Sequence, residues 1–332
     1  MTVVSVRGLR KNFTVKTKRP GLAGSLRAVL RPEIHTVEAV KDISLDLEEG
    51  ELLAFIGPNG AGKSTTIKML TGILYPTAGQ AQVLDYVPWK QRRQLAYHIG
   101  SVFGQKPQLW YHLPAIDTFH LFAKIYELDT HDFRQRMDFL VAALEIGDLL
   151  YTPVRKLSLG QRMKCEIAAS LLHRPRIIFL DEPTIGLDVV AKQQIRDTIK
   201  LLNAEEGTTI FLTSHDAGDV ETLCKRVIII NHGQIIFDER VSTLKRHYLT
   251  RKVIDVRFAE LLDGSFQLAE NDGRLGAVDV LKVGKYGVKL QFDTREIPVD
   301  AVIQRLMESY HVADITISDP PMEEIIASIY ER

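Results

Sequence analysis

The run GPNGAGKS at 57–64 has the spacing G-x-x-x-x-G-K-[ST] of a loop that binds nucleotide phosphates. Its glycines let the backbone fold around an anion without Cβ clashes, so that amide N–H groups can point inward. Lys63 adds a compact cation for the β- and γ-phosphates, and the hydroxyl of Ser64 can ligate Mg²⁺. The predicted nucleotide-binding residues of this loop are Gly57, Pro58, Asn59, Gly60, Ala61, Gly62, Lys63, Ser64 and Thr65.

A second chemical group is a pair of carboxylates at the end of the apolar run IIFLDE, 177–182. Ligands of open α/β sheets bind at the C-terminal ends of the strands, so the pair is expected to face the phosphates. Asp181 is predicted to hold Mg²⁺ through water, and Glu182 to polarise a water that attacks the terminal phosphate. The two motifs together predict nucleotide hydrolysis.

Hydrophobic patterning predicts the elements that position these groups. Unbroken apolar runs recur along the chain, which is typical of parallel strands covered on both faces. Helical patterns separate them, notably at 161–173 and 189–205, so we predict an α/β fold with a parallel core sheet. The apolar runs lie at 52–57, 177–182, 208–214 and 226–231.

Two other patterns accompany this sheet. Residues 3–9 and 43–47 alternate between apolar and polar side chains, which predicts half-buried antiparallel strands. Residues 106–172 contain no apolar strand run and are predicted to form an inserted, mostly helical subdomain.

The pattern changes after about residue 245. Short alternating segments and two helical patterns follow one another, which predicts a small α+β domain with its own core. We therefore predict a nucleotide-binding domain at 1–244 and an accessory domain at 245–332. The predicted strands are 252–258, 278–283, 287–292 and 312–317, and the predicted helices are 298–310 and 322–331.

Composition limits the class of protein. The 332 residues carry 42 basic and 42 acidic side chains, and this zero net charge argues against nucleic acid as the partner. The chain shows no apolar stretch near the roughly 18 residues of a membrane-spanning helix, and no secretory signal. Its two cysteines, Cys165 and Cys224, are too few for a disulfide framework, so we expect a reducing compartment.

The run LSLGQR at 157–162 narrows the class further. Together with the phosphate loop and the carboxylates, it resembles the nucleotide-binding subunits of ATP-binding cassette (ABC) proteins. Other motifs of that family follow in order: Gln105 after the strand-like IGSVF, IGLD at 185–188 and TSH at 213–215. The resemblance covers residues 1–240. It implies the cassette fold, with a parallel core sheet, an antiparallel β subdomain and a helical subdomain.

The resemblance also implies roles for residues outside the phosphate loop. Gln105 and His215 would act with Glu182 in catalysis, and Gln105 would join Ser64 and Asp181 around Mg²⁺. In this family two cassettes pair, and the LSLGQ-type signature of one caps the ATP bound by the other. The residues implied to contact ATP in this way are Ser158, Gly160, Gln161 and Asp188.

The chain departs from the family pattern at two places. Leu159 replaces the glycine of the commoner signature LSGGQ, while Ser158 and Gly160 are kept. Phe13 matches the family's adenine-stacking aromatic, the alternative being a core residue. A basic insertion at 16–35 separates it from the phosphate loop. This insertion is either a solvated loop or a contact with anionic headgroups or a membrane subunit.

Partners follow from the same resemblance. ATP-driven closure of a homodimer, or of two paired cassettes, would drive separate integral-membrane permease subunits. The segment after Gln105 brings Trp110, Tyr111 and Phe119 close to two prolines, which predicts a surface groove for a permease helix. Burial of these aromatics in a core is the alternative. We expect a cytoplasmic protein bound peripherally to the inner face of the cell membrane.

Within the family, FGQKPQLW at 103–110 and the C-terminal ADITISDPPMEEII resemble bacterial exporters of drug, lipid and polysaccharide type. An importer ATPase with a ligand-sensing C-terminal domain is one alternative. A non-transport cassette that acts on ribosomes or DNA is another, disfavoured by the neutral charge and the single cassette. The transported substrate contacts the permease, so this chain does not identify it.

Overall fold

The computed structural model describes residues 1–17, 33–104, 106–248, 251–262, 266, 278–320 and 322–330. Gln105 and most of the basic insertion lie outside these ranges. The chain divides into two compact units, Met1–Glu239 and Arg240–Arg332. The domain boundary predicted after residue 244 is a statement about which fragment can fold by itself. It stays a prediction. Within the described ranges, no helix is long and apolar enough to cross a membrane.

The strands are β1 (Thr2–Thr17), β2 (Glu33–Glu48), β3 (Leu52–Ile56), β4 (Ala78–Val83), β5 (Ile99–Phe103), β6 (Ile177–Asp181), β7 (Thr209–Ser214), β8 (Arg226–Asn231), β9 (Gln234–Arg240), β10 (Arg251–Phe258), β11 (Val278–Gly284), β12 (Gly287–Asp293) and β13 (Val312–Ser318). The helices are α1 (Lys63–Leu70), α2 (Arg92–Ala96), α3 (Ala115–Ile125), α4 (Thr130–Leu144), α5 (Leu159–Leu171), α6 (Val189–Glu206), α7 (Ala217–Leu223), α8 (Val241–Tyr248), α9 (Val299–Ser309) and α10 (Met322–Tyr330), with 3₁₀ turns at Gly147–Leu149 and Val154–Lys156.

Within the described residues, the central sheet has six strands in the order β5-β6-β7-β3-β8-β9, and the pairs β5–β6, β6–β7, β7–β3 and β3–β8 are parallel. Every residue of β3 and β7 is buried, which confirms the prediction of strands covered on both faces. Phe211 packs on Phe55 and Phe179 in the neighbouring strands, with ring centroids 5.3 and 5.7 Å away. Because β6, β7 and β3 are adjacent, their C-terminal ends meet at one edge of the sheet.

A second, three-stranded sheet has the order β2-β1-β4 and is antiparallel. The strands predicted at 3–9 and 43–47 are confirmed, but both are longer. β1 pairs with β2 from Thr2, opposite Glu48, to Thr17, opposite Glu33. Val4, Val6 and Leu9 are fully buried, whereas the pair Phe13 and Val37 is exposed. The apolar alternation therefore marks only the buried half of the hairpin, which is why the sequence pattern underestimates its length.

Residues 106–172 are mostly helical, as predicted, and comprise α3, α4, α5 and the two 3₁₀ turns. Asp129 begins α4 by accepting a hydrogen bond from the backbone N–H of His131 at 2.7 Å. The buried Arg136 of α4 donates to the carbonyl of Leu171 at 2.9 Å and pairs with Glu206 of α6. The first contact joins α4 to α5 within the helical segment, and the second joins that segment to α6.

The second unit contains an antiparallel sheet of order β11-β12-β10-β13. Alternate residues of β10 and β12 are buried with α9, which gives this unit a core of its own. The predicted α+β character of this segment is confirmed. The main members of the core are Ile254, Val256, Phe258, Val288, Leu290, Phe292, Val302 and Leu306.

Candidate functional site

The phosphate loop runs from the end of β3 to the start of α1, as its motif predicts. Gly62 caps the helix with φ of 110°, a conformation that side chains rarely adopt. A Cβ atom on Gly57 would lie 2.2 Å from the carbonyl oxygen of Ile230, and one on Gly62 would lie 2.6 Å from that of Ala39. Glycine at these two positions is therefore required by close backbone packing.

The loop forms one wall of a cleft with a volume of about 380 Å³. The two carboxylates at the end of β6 also line the cleft, as expected from the sheet topology. Three lysines face the cleft, two of which the sequence motif did not identify. The residues that line the cleft are Ala39, Pro58, Asn59, Gly60, Ala61, Gly62, Lys63, Ser64, Thr65, Lys68, Phe103, Lys106, Asp181 and Glu182.

Lys63 is almost fully buried and binds inside the loop. Its Nζ donates to the carbonyl oxygen of Gly57 at 2.7 Å and lies 3.3 Å from Glu182 Oε1. Cation and carboxylate thus compensate one another's charge in this low-dielectric site. A phosphate that enters the cleft would compete with Glu182 for the ammonium group.

One carboxylate oxygen of Asp181 accepts hydrogen bonds from two hydroxyl groups. Its Oδ1 accepts from Thr213 Oγ1 at 2.7 Å and from Ser64 Oγ at 3.1 Å. Carboxylate and hydroxyl oxygens are hard ligands of the kind Mg²⁺ prefers. The described residues form no cluster of three or more His, Cys, Asp or Glu that could hold a metal. The donor set here therefore fits an ion that takes its remaining ligands from phosphate and water.

Glu182 has an unusual backbone conformation, with φ of 54°. Non-glycine residues in this region are uncommon and indicate a constraint imposed by the surroundings. The amide of Glu182 donates to the carbonyl and to the hydroxyl of Thr213, both at 3.1 Å. The side chain then places Oε2 3.6 Å from His215 Nδ1. The structure thus brings together two of the three side chains predicted to act in catalysis, Glu182 and His215.

The signature motif begins α5 with a capping box. Ser158 Oγ accepts from the backbone N–H of Gln161 at 3.2 Å, and Gln161 Oε1 accepts from that of Ser158 at 2.9 Å. As an acceptor, the hydroxyl of Ser158 keeps its own proton available for donation. Neither residue lines the cleft described above.

Leu159 and Gly160 of the signature pack against the start of α6. A Cβ atom on Gly186 would lie 3.2 Å from Leu159 Cδ2, and one on Gly160 would lie 2.9 Å from Ala191 Cβ. Asp188 caps α6 by accepting from the amide of Ala191 at 2.9 Å. The signature and the IGLD motif thus form one continuous surface, separate from the chain's own phosphate loop.

The segment after Gln105 is anchored to α5 by Glu166. This buried carboxylate accepts from the amides of Gln108, at 2.9 and 3.1 Å, and of Leu109, at 3.3 Å. Burial raises the pKa of Glu166, against the effect of these amides. Trp110 and Tyr111 are about half exposed.

Phe119 corrects the predicted groove, because it is fully buried. It lies on the inward face of α3 with Ala115 and Ala123, at the helical spacing of four residues. The helical period, rather than proximity in sequence, thus separates it from the exposed pair Trp110 and Tyr111. Of the three aromatics, only Phe119 is a core residue, as the alternative interpretation of the segment predicts.

Seven predicted site residues in the described part of the chain do not line the cleft: Phe13, Gly57, Ser158, Gly160, Gln161, Asp188 and His215. Gln105 lies outside the described residues. Phe13 is 37% exposed, so it is not a core residue, and Lys11 Nζ lies 5.2 Å from its ring centroid. It does not line the cleft described above. Its role as the adenine-stacking aromatic stays a prediction.

Two lysines that no predicted motif includes also line the cleft, Lys68 and Lys106. Lys68 lies on α1, five residues after Lys63, and the phosphate-loop pattern ends before it. Lys106 directly follows Gln105, and that adjacency to a site residue is the one signal that marks it. Both add positive charge where phosphates are expected.

Residues 40–185 match a protein-family model described as ABC transporter. The ABC transporter ATP-binding protein NatA of Bacillus subtilis (strain 168) is 35% identical over 208 residues, which are 63% of this chain and 84% of that protein. A fluoroquinolones export ATP-binding protein of Mycobacterium tuberculosis (strain ATCC 25618 / H37Rv) is 38% identical over 215 residues, 65% of this chain and 69% of that protein.

Among solved structures, one similar chain is the ATP-binding cassette MJ0796, a dimer in a post-hydrolysis state bound to ADP and phosphate. It is 24% identical, with a TM-score of 0.59, and the match covers 72% of this chain and 98% of that one. At this identity the likeness concerns the fold.

Proposed function

This chain belongs to the ABC transporter family as an ATP-binding subunit that hydrolyses ATP, and we propose that it powers export through a separate membrane permease. The observation that carries the proposal is the cleft itself. It places Lys63, the glycine-rich loop, Ser64 and two carboxylates around one space. Export is supported by the relatives, one of which is an export ATP-binding protein and covers two thirds of this chain.

In the proposed reaction, the loop amides and Lys63 bind the β- and γ-phosphates of ATP. Ser64 and Asp181 would hold Mg²⁺, which when bound offsets phosphate charge. The γ-phosphate then binds the ammonium group of Lys63 in place of Glu182, whose Oε1 lies 3.3 Å from Lys63 Nζ before nucleotide binds. Glu182 can then accept a proton from the attacking water, with His215 beside it at 3.6 Å.

We further propose that the working unit is a dimer. Ser158 and the N-terminus of α5 can bind an anion, and Ser158 does not line the chain's own cleft. A second cassette, bound face to face, would bring this site onto ATP in the first. The dimeric state of the similar cassette MJ0796 supports this arrangement. Closure with ATP and opening after hydrolysis would make a two-state clamp.

The proposed permease contact is the exposed pair Trp110 and Tyr111. Glu166 holds the backbone beside this pair against α5, the helix that carries the signature. A permease helix that presses on the pair would therefore act on the dimer-forming surface directly. We propose that such a contact would hold the chain at the cytoplasmic face of the cell membrane.

Co-purification tests the proposal. The tagged chain is expressed with the membrane proteins encoded beside its gene, and the captured partners are identified by mass spectrometry. An exporter is expected to retain a permease alone. Capture of a permease with an external binding protein would indicate an importer, and capture of ribosomes would indicate a non-transport cassette. Either result would contradict export.

The contact surface is tested in the same experiment. The double substitution of Trp110 and Tyr111 by alanine should lower permease recovery and leave ATP binding intact, because neither residue lines the cleft. Tyr75→Ala, which removes another well-exposed tyrosine, serves as the matched control. Unchanged permease recovery in the double variant would place the contact elsewhere.

A further inference from the structure

A carboxylate outside the cleft connects the two catalytic candidates. Asp219, in the first turn of α7, is completely buried. Its Oδ2 accepts from Thr184 Oγ1 and from Ser214 Oγ, both at 2.6 Å, and its Oδ1 accepts from Arg196 Nε at 2.7 Å. A buried charge is tolerated only when it is paired and hydrogen-bonded in this way.

The two hydroxyl donors are neighbours of the catalytic candidates. Thr184 lies two residues after Glu182, and Ser214 lies directly before His215. Both hydroxyls bind the same oxygen atom of Asp219, and both residues are almost fully buried. A single carboxylate therefore links the two loops, in addition to the amide of Glu182, which donates to Thr213.

Surrounding contacts hold Asp219 itself in place. Arg196 also donates to Asp216 Oδ1 at 3.2 Å, and the amide of Asp216 donates to Ser214 Oγ at 2.9 Å. A Cβ atom on Gly218 would lie 2.9 Å from the Arg196 guanidinium, so α7 packs closely on this arginine. The network spans α6, α7 and both loops.

We propose that Asp219 is a positioning residue for ATP hydrolysis, which sets the separation of Glu182 and His215 through Thr184 and Ser214. The inference rests on the proposed roles of Glu182 and His215. Asp219 does not line the cleft and touches no reacting atom. Its contribution is geometric, since a shift of about 1 Å in a catalytic group can cost on the order of 10²-fold in rate.

The test removes one hydroxyl at a time. Thr184→Val and Ser214→Ala each leave the Asp219–Arg196 pair intact, so these variants are expected to fold. Each should lower kcat roughly 10- to 100-fold while the KM for ATP changes less than about threefold. Asp219→Asn should show the larger loss, because an amide cannot satisfy both hydroxyls and Arg196. Asp197→Asn, which removes an exposed carboxylate of α6, is the matched control and should hydrolyse ATP normally.

Double variants separate positioning from a merely structural role. Measured by single turnover with radiolabelled ATP, Ser214→Ala should have little further effect once His215 is alanine, because it acts through that residue. An equal loss in both backgrounds would overturn the inference, as would normal kcat in folded Thr184→Val and Ser214→Ala. If wild type fails to hydrolyse ATP, or Glu182→Gln hydrolyses it normally, the proposed function itself fails. If Thr184→Val and Ser214→Ala hydrolyse ATP at the normal rate while Glu182→Gln is inactive, only the proposed role of Asp219 is overturned.

Discussion

At the scale of single residues, the cleft is organised around one buried ion pair. Lys63 and Glu182 hold one another at 3.3 Å, and each is aimed at a different part of the expected ATP: the cation at the phosphates, the carboxylate at the attacking water. The pair explains how a buried ammonium group is tolerated before nucleotide binds. It also means that binding and hydrolysis are controlled by residues in direct contact.

Lys63→Ala is expected to weaken ATP binding. The multiply charged phosphates would lose their most deeply buried cation, and charge-assisted hydrogen bonds are worth about 1.5–3 kcal/mol each, which corresponds to a loss of roughly 10- to 100-fold in affinity. Equilibrium titration with a fluorescent ATP analogue measures this. Lys200→Ala, at an exposed position of α6, is the control. Wild-type affinity in Lys63→Ala would contradict the phosphate-loop assignment.

Single residues of the cleft can be predicted from the sequence where a local pattern carries the chemistry. The loop 57–65 and the pair Asp181 and Glu182 could be found because their spacing alone specifies a phosphate site. Asp219 could not be found, since an acidic residue in the first turn of a helix commonly interacts with the helix dipole in solvent. Only the packing of α6 and α7 reveals its burial.

At the scale of elements, His173 marks the joint between the helical segment and the central sheet. It follows α5 and stacks on Tyr126 after α3, with ring centroids 3.9 Å apart. Its Nε2 donates to the carbonyl of Ile99 in β5 at 2.9 Å. Burial lowers the pKa of His173 to about 4, so the folded protein keeps the ring neutral.

The contribution of His173 to the free energy of unfolding should decrease at low pH. The unfolded chain binds a proton at His173 below its ordinary pKa of about 6.5, whereas the folded chain resists it down to about 4. The stability due to the neutral ring is therefore fully present above pH 6.5 and is lost as the pH falls to about 4, by roughly 3 kcal/mol. Urea unfolding of wild type and His173→Gln at several pH values measures the difference. His131→Gln, at an exposed position, is the control. Parallel pH dependence in wild type and His173→Gln would contradict the assignment.

Elements were predictable where burial is uniform along a strand. β3, β6, β7 and β8 were recognised from unbroken apolar runs, because both faces of a parallel sheet are covered. β4, with the sequence AGQAQV, is mostly exposed and carries no such run, so it was missed. Its strand conformation comes from pairing with β1, a tertiary interaction that short-range patterns do not encode.

At the scale of the whole molecule, the catalytic candidates belong to one of the two compact units. Each catalytic candidate within the described residues lies in Met1–Glu239. The unit Arg240–Arg332 has its own antiparallel sheet and core. The catalytic candidates and the residues that line the cleft therefore all belong to the first unit.

Deletion of residues 245–332 should leave a folded chain that binds ATP, because the motifs of the cleft end at His215. Circular dichroism and ATP titration of the fragment 1–244, compared with the full chain, test this. Cooperative unfolding and unchanged ATP affinity are expected. A fragment that is insoluble, or that unfolds without cooperativity, would show that the tail completes the same core.

The central claim, that Glu182 drives ATP hydrolysis in a dimer that closes on ATP, is tested most directly with Glu182→Gln. The amide keeps the shape of the side chain and removes the general base, whose contribution is typically about 10²–10⁴-fold in rate. ATP binding should persist, because Lys63 loses a competing carboxylate and the loop is untouched. Size-exclusion chromatography with and without ATP, beside a phosphate-release assay, should show a stable ATP-bound dimer and almost no hydrolysis. Hydrolysis at a near-normal rate by Glu182→Gln, or a chain that stays monomeric with ATP, would contradict it.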